Sequence, residues 1–493
     1  MDYSLKKAEK ISEATDVRML KNSKPVWQQV EDQKARFHEL SDRIWDNPEL
    51  NYQEFFAAAE HCRELASEGF AVTEGLANIP TAIMGEAGNG GPVIAILGEY
   101  DALPGLSQEA GLAEERPVLA GGCGHGCGHN ILGSASLLAA VAVKNWLIQA
   151  GLPGRVRYYG CPAEESGSGK SFLVRAGVFD DVDVAISWHP NVFTGVIAAA
   201  SLACAEIEFT FYGRAAHAAS APHQGRSALD AVELMSVGVN YMREHMPPSA
   251  RVHYALIDGG GVAPNVVQPR AVVRHLVRGR NLEEMWGLVK RVKKIAEGAA
   301  LMTETTVNVN QLAGEANLVG NPPLEESMRA NLEQLGAPGF DSIDKEFAAE
   351  IQQSLTSDEI RWDYRNYGLP VRSEPLSEQI YHLDPSRVDS MGSTDVGTVS
   401  WVVPTVQCDV ACFAVGTRFH AWQLVAQGKS PAAHKGLTLA AKAMAGVATD
   451  VLSNPALLSA TKDAFKQFRD ENPFINPVGV NAEPPLKMAC KTP

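Results

Sequence analysis

At 493 residues, 45% apolar and 20% charged, the chain has the composition of a soluble globular protein too long for one ordinary core, so two domains are expected. Its 43 basic and 58 acidic residues give a net charge of −15, which argues against nucleic acid or an anionic membrane as the main partner. Eight cysteines spread over this length form no disulfide framework, so reduced thiols and a cytoplasmic setting are expected.

The first 25 or so residues are polar and charged and read as a loosely held leader or first helix; Met1 to Lys7 contain no apolar signal core. Helices broken at Asn47-Pro48 are expected over Trp27 to Leu65. Val93 to Gly98 is a continuous apolar run, the pattern of a buried strand, and it ends in Glu99-Tyr100-Asp101. A glycine-rich loop at 121–130 opens a helix over Ile131 to Ala150. The apolar-leaning part of that helix, Ile131 to Val143, is broken by Gly133, Ser134 and Ser136 and is too short to cross a bilayer. The strand Arg155 to Gly160 leads to Pro162-Ala163-Glu164-Glu165, a helix follows near Lys170 to Ala176, and the strand Val182 to Ser187 ends in Trp188-His189-Pro190. Three candidate site elements therefore stand at three strand ends of an alternating β/α pattern, where α/β proteins keep their chemistry.

From Cys204 the texture changes. Ala205 to Phe211 alternates apolar and polar, as a half-exposed strand does. A helix (Ser227 to Arg243), two strands (Arg251 to Ile257, Ala271 to Val277), a long helix (Glu283 to Leu301) and a strand (Thr306 to Asn310) follow. This β-α-β-β-α-β order is that of a ferredoxin-like inserted domain. The α/β texture resumes beyond Pro322, passes through a polar, poorly patterned stretch from Asp341 to Ser390, and ends in a helix from Leu437 to Leu452.

The chemistry concentrates in Gly124-His125-Gly126-Cys127-Gly128-His129-Asn130 and in Glu164-Glu165. A thiol, an imidazole and a carboxylate make the donor set of zinc or a similar transition metal. Cys127 and His129 lie on a glycine loop where neither has a packing reason to be. Adjacent glutamates point in different directions, so one can bind metal while the other serves as proton acceptor for an activated water. His125 reads as an orienting residue, and His189 as a third strand-end candidate. His217, among alanines, and Asn265, after three glycines, sit in accessible loops. His420 and His434 each offer a last ligand, and spacing alone does not choose between them. The opening expectation is a metal-dependent hydrolase.

Together these motifs resemble the M20 metallopeptidase family in its amidohydrolase branch, from about Trp27 to Leu452. Less generic text supports the likeness: the Pro-His-x-Gly-Arg-Ser-Ala-Leu-Asp-Ala run within Ala218 to Val232, Ala296 to Val307, and Ser393-Thr394-Asp395-Val396-Gly397. The resemblance implies a metal-binding α/β catalytic domain in two parts, residues 1–203 and 313–493, around an inserted ferredoxin-like lid and dimerisation domain, 204–312. It implies two divalent metal ions per subunit, zinc or manganese, with Cys127, His129, Glu165, His189 and His420 as ligands and Glu164 as general base. The Gly-Thr-x-x-His context selects His420 over His434. His217 and Asn265 match lid positions that meet the substrate carbonyl or carboxylate, often across a dimer, and Arg278 resembles a carboxylate-binding arginine. The implied substrate is a small N-acyl, aromatic amino acid, hydrolysed at its amide bond. The implied assembly is a homodimer through the lid, with a paralogous subunit as the alternative. A dipeptidase, an aromatic-amine aminohydrolase or a non-catalytic metal-binding subunit on the same scaffold are the rival readings. One departure stands out: where many M20 peptidases place a ligating His two residues before an Asp, this chain has Glu99, and the missing imidazole is expected from His129.

Overall fold

The computed structural model describes residues 25–197, 201–382 and 392–489, so the expected leader lies outside the described residues. The apolar run near residue 93 forms β3 (Val93–Glu99), buried along its whole length. Ile94 and Ile96 join the core on one face while Ala95 and Leu97 join that on the other, so both faces are covered and no polar alternation is needed. The neighbours of β3 are β4 (Gly154–Cys161) and β5 (Val184–Asn191), and β5 pairs in turn with β12 (Thr405–Ala411), all in parallel. β2 (Ile83–Asn89) and β1 (Ala71–Glu74) extend one side. β6 (Thr194–Val196) and β11 (Ile380–Tyr381) complete the other, giving eight strands in the order β1-β2-β4-β3-β5-β12-β6-β11.

One face of this sheet is covered by α1 (25–45), α2 (Phe55–Ser67), α3 (His129–Ala150), α7 (Pro322–Leu335) and α12 (Pro431–Ser453). The other carries α4 (Gly169–Arg175) and α10 (Val396–Ser400). α3 is by length and composition apolar enough to cross a membrane, but 83% of its apolar window is buried inside the fold. Gly133 lets it press against β3: a Cβ there would stand 2.5 Å from the Glu99 carbonyl oxygen. That contact fixes the first turn of α3 beside the end of β3.

Two sequence expectations shift. β5 runs on to Asn191, so His189 lies within the strand rather than beyond it, because β12 continues the pairing with Asp409 opposite His189. The poorly patterned stretch holds α8 (Ser342–Gln352) and α9 (Ser357–Asn366), both started by capping boxes, together with β11.

The second sheet is antiparallel and runs β10-β7-β9-β8, built from β7 (Ala203–Tyr212), β8 (Arg251–Asp258), β9 (Arg270–Gly279) and β10 (Thr306–Glu315). α5 (Ala228–Met242) and α6 (Leu282–Thr303) separate the strands in the ferredoxin-like order, their starts capped by Ser227 and Asn281. Alternation along β7 sends Ala205, Ile207, Phe209 and Phe211 into the core beneath these helices. Glu206 and Glu208 fall on the opposite face, where both pair with Arg274. The chain is thus an α/β sandwich with an inserted α+β unit.

Candidate metal centre and active site

Four chain segments bring the donors together. Gly128 caps the start of α3 in the left-handed region, at φ 79°, with Cys127 just before it and His129 as the first helical residue. The strand β4 ends in a turn in which Ala163 itself adopts φ 58°. That conformation is disfavoured for a residue with a Cβ and is held from outside. Glu54, buried, accepts hydrogen bonds from the Ala163 and Tyr52 amides (both 2.9 Å) and from the Thr81 hydroxyl, while the Tyr52 hydroxyl donates to the Gly167 carbonyl. The turn therefore presents Glu164 and Glu165 in fixed directions. His420, after β12, also has a positive φ, 62°, and its amide donates to the Gly126 carbonyl, which ties the two loops together.

In the resulting cluster, Cys127 Sγ lies 3.4 Å from His189 Nε2. Ligand atoms of Cys127, His129 and His189 lie within 4.8 Å of one another, and so do those of Cys127, Glu165 and His420. The two sets share Cys127, the arrangement a pair of neighbouring cations would need. A third set within the same limit joins Glu99, His129 and Glu164.

The orientation of each donor fits a cation. Asp101 Oδ1 lies 2.9 Å from His129 Nδ1, which leaves His129 Nε2 buried without a hydrogen-bond partner among the described residues. The Pro190 carbonyl, 2.9 Å from His189 Nδ1, likewise leaves Nε2 facing the thiol. Glu165 Oε2 lies 3.1 Å from His420 Nε2, and its Oε1 is buried and unpartnered. Second partners that fix the imidazole tautomer are the usual support of metal-ligating histidines. Asp101 supports the site twice, since its Oδ2 also accepts from the Glu165 amide at 2.9 Å.

Burial, then the Glu165 and Glu164 charges, pushes the Cys127 thiol well up, so a thiolate there is stable only beside a cation. Glu164 is raised well above the usual carboxylate range by burial, then by Glu99 and Glu165. Burial depresses His129, but Asp101 and Glu99 outweigh it and hold the imidazole at about 9. Behind these groups lies a charge network centred on Lys170, whose role no motif in the sequence announces although Asp395 stands in the Ser393-Thr394-Asp395-Val396-Gly397 run. Lys170, fully buried, donates to Glu99 Oε1 and to Asp395 Oδ1, both at 2.6 Å. It sits in a short helix after Glu165, far in sequence from Thr394-Asp395, and neither segment carries a periodic signal.

Cys127, Glu164, Glu165, His189 and His420 line a cavity of about 610 Å³ that Arg278 also lines from β9, donating to the Ser393 hydroxyl at 3.0 Å. His217 and Asn265 stand together but away from that cavity. His217 is exposed, bridges Val266, and accepts from the Ala219 and Ser220 amides through Nδ1; the Asn265 carbonyl accepts from the Ala218 amide. His125 is buried against the Ile44 carbonyl and belongs to none of the ligand sets. His434, in the first turn of α12, stacks on His38 and lies 2.9 Å from Asp42, also outside them.

A mixed sheet whose central parallel strands and following loops gather thiol, imidazole and carboxylate donors, with a half-buried second carboxylate beside them, is the site of a metal-dependent amidohydrolase. The chain belongs to peptidase family M20/M25/M40, whose sequence profile matches residues 95–477. It is 45% identical over 470 residues to one of the subunits of p-aminobenzoyl-glutamate hydrolase from Escherichia coli, covering 93% of this chain and 98% of that protein. It is 30% identical to the Xaa-Arg dipeptidase of Mus musculus, over 94% of this chain and 96% of that one. Among solved structures it resembles a Bacillus subtilis dinuclear metal-binding peptidase of the M20 family, with a TM-score of 0.55 and 18% identity, over 86% of this chain and 99% of the other.

Proposed function

We propose that this chain hydrolyses the amide bond of an N-acyl amino acid with an aromatic acyl group, of the p-aminobenzoyl-glutamate type. The observation that carries the reading is Glu164, a half-buried carboxylate on the cavity lining, within ligand-atom reach of Glu99 and His129 and raised above the usual carboxylate range by desolvation. A purely structural metal site has no use for such a group. Cys127, His129, Glu165, His189 and His420 would hold two divalent cations, zinc or manganese. When bound, these supply Lewis acidity and lower the pKa of water toward neutrality.

Glu164 removes the proton from the attacking water and delivers it to the departing amine. Its upward-shifted pKa, caused first by desolvation, makes it a stronger base than a free carboxylate, which favours the first half of that task. Arg278 receives the carboxylate of the amino acid, a match of guanidinium fork to carboxylate geometry, and Asn265, outside its own cavity, would join it only from a second subunit. His217 donates to the developing oxyanion, and its position outside its own cavity supports delivery from a second subunit.

The inserted unit, 204–312, is accordingly read as the lid and pairing surface. β8 is an edge strand with Tyr254 and Leu256 exposed, and α5 of the same unit exposes Val237 and Tyr241. An open apolar edge is a liability that two-fold pairing removes. The partner is a second copy or a paralogous subunit. All seven described cysteines are unpaired, in keeping with a reducing, cytoplasmic setting.

The test is a panel of N-acyl amino acids and dipeptides offered to metal-free protein with zinc or manganese added back. Aroyl-glutamates should be cleaved fastest. Preferential cleavage of basic dipeptides would transfer the assignment to the dipeptidase reading.

A further inference from the structure

The cavity has a second character that the metal centre does not explain. α9 places Trp362, Asp363, Asn366 and Tyr367 along its lining, the i, i+1, i+4, i+5 spacing of one helical face. The Thr356–Glu359 capping box fixes where the helix starts and hence which face is presented. From the loop after β12, the Arg418 guanidinium lies 4.5 Å from the Trp362 ring centroid, with Asp363 Oδ1 3.8 Å from its Nη1. The next residue, Phe419, sets its ring edge-on to His189 at 5.4 Å. A continuous shelf therefore runs from His189 through Phe419 and Arg418 to Trp362. Trp362 is 49% exposed and Phe419 39%, although both face a cavity rather than the outer surface alone. Aromatic area left uncovered beside a reactive centre is area for a ligand to cover.

We infer that the Phe419–Arg418–Trp362 shelf is the acyl subsite and that it takes a flat aromatic ring. The inference rests on the amidohydrolase reading above and adds the residues that choose the acyl group. Arg278 lines the same cavity from β9, a different element from α9 and the loop after β12, so with the substrate carboxylate at Arg278 the aromatic shelf beside His189 is left for the acyl group. A guanidinium already stacked on indole and neighboured by Asp363 is poorly placed to clamp a second carboxylate. It offers instead a planar, cationic surface to a ring's π face.

The experiment compares wild type, Trp362→Ala and Trp362→Phe as metal-loaded full-length protein on N-benzoyl-glutamate and N-acetyl-glutamate. The ratio of kcat/KM for benzoyl over acetyl should fall about tenfold in Trp362→Ala, mostly through KM, and recover most of the way in Trp362→Phe. Equal losses on both substrates, or none, would overturn the assignment; equal losses would instead point to the shelf holding the amino-acid half. Benzamide binding, followed by ligand-observed NMR titration, gives a readout that needs no turnover. If wild type cleaves neither substrate, the hydrolase reading fails. Loss of benzamide binding in Trp362→Ala would still uphold the subsite, and unchanged binding would refute it.

Discussion

Replacing Lys170 with Met should destabilise the catalytic unit by about 3–5 kcal/mol at pH 8, the usual cost of stripping one partner from a buried ion pair. Lys170 is fully buried, 2.6 Å from carboxylate oxygens of both Glu99 and Asp395, with Glu164 among the charges acting on it. Methionine has a similar length and no charge, so the packing term is small and the electrostatic one dominates. Burial pushes Glu99 up, but Lys170 and His129 outweigh it and hold its carboxyl below the ordinary value. The stability this contributes is present above the unfolded carboxylate pKa and is lost as pH falls through the folded one. Asp395, raised to about 6 by burial despite Lys170, already takes up a proton at mildly acidic pH. The defect should therefore be largest at pH 8 and shrink toward pH 5, as Asp395 neutralises and as Glu99, which burial raises once Lys170 is gone, takes up a proton in the variant. Urea denaturation of chelator-treated wild type and Lys170→Met, followed by circular dichroism at several pH values, measures it. A loss under about 1 kcal/mol at pH 8, or one that grows on acidification, would refute the reasoning.

Three further outcomes are expected. Glu164→Gln should retain bound metal by elemental analysis while its rate falls about 10²- to 10⁴-fold, and near-normal turnover would pass the base role to another residue. His420→Ala should lose metal and activity together, whereas His434→Ala, whose ring contacts His38 and Asp42, should keep its metal; the reverse pattern exchanges the two assignments. Mixing inactive Glu164→Gln with inactive His217→Ala under subunit exchange should restore about a quarter of wild-type activity, because about half the dimers are mixed and each has one complete site. No recovery after verified exchange would confine His217 to its own chain.

What was legible in the sequence was what has a period or a motif. The apolar run before Glu99 and the alternation from Ala205 to Phe211 gave their strands directly, because burial on two faces or one leaves those patterns. Cys127, His129, Glu164 and Glu165 announced themselves by unusual chemistry on short, glycine-flanked turns. The supports behind them did not. Asp101 acts through two hydrogen bonds to residues 28 and 64 positions away, and Lys170 reaches Asp395 across 225. Such partnerships exist only after folding. Strand β12 and helix α9 were hidden for a different reason. β12 carries Gln407 and Asp409 inside a fully buried strand, which breaks the apolar run that revealed β3, and the buried face of α9 is mixed polar and aromatic because it borders a cavity rather than the core.

The pairing of β5 with β12 has a consequence for how the protein is made. Between those strands the chain completes the whole four-stranded inserted unit, whose own contacts are comparatively local. As the polypeptide emerges from the ribosome, that unit is free to fold while β5 still has an open edge and the last histidine of the cluster is unmade. The catalytic sheet closes only once residues 405–411 arrive, and closing so long a loop is slow relative to local folding. Nascent chains halted before that point should carry a protease-resistant inserted unit and a protease-sensitive sheet, a difference that limited proteolysis of stalled complexes would resolve.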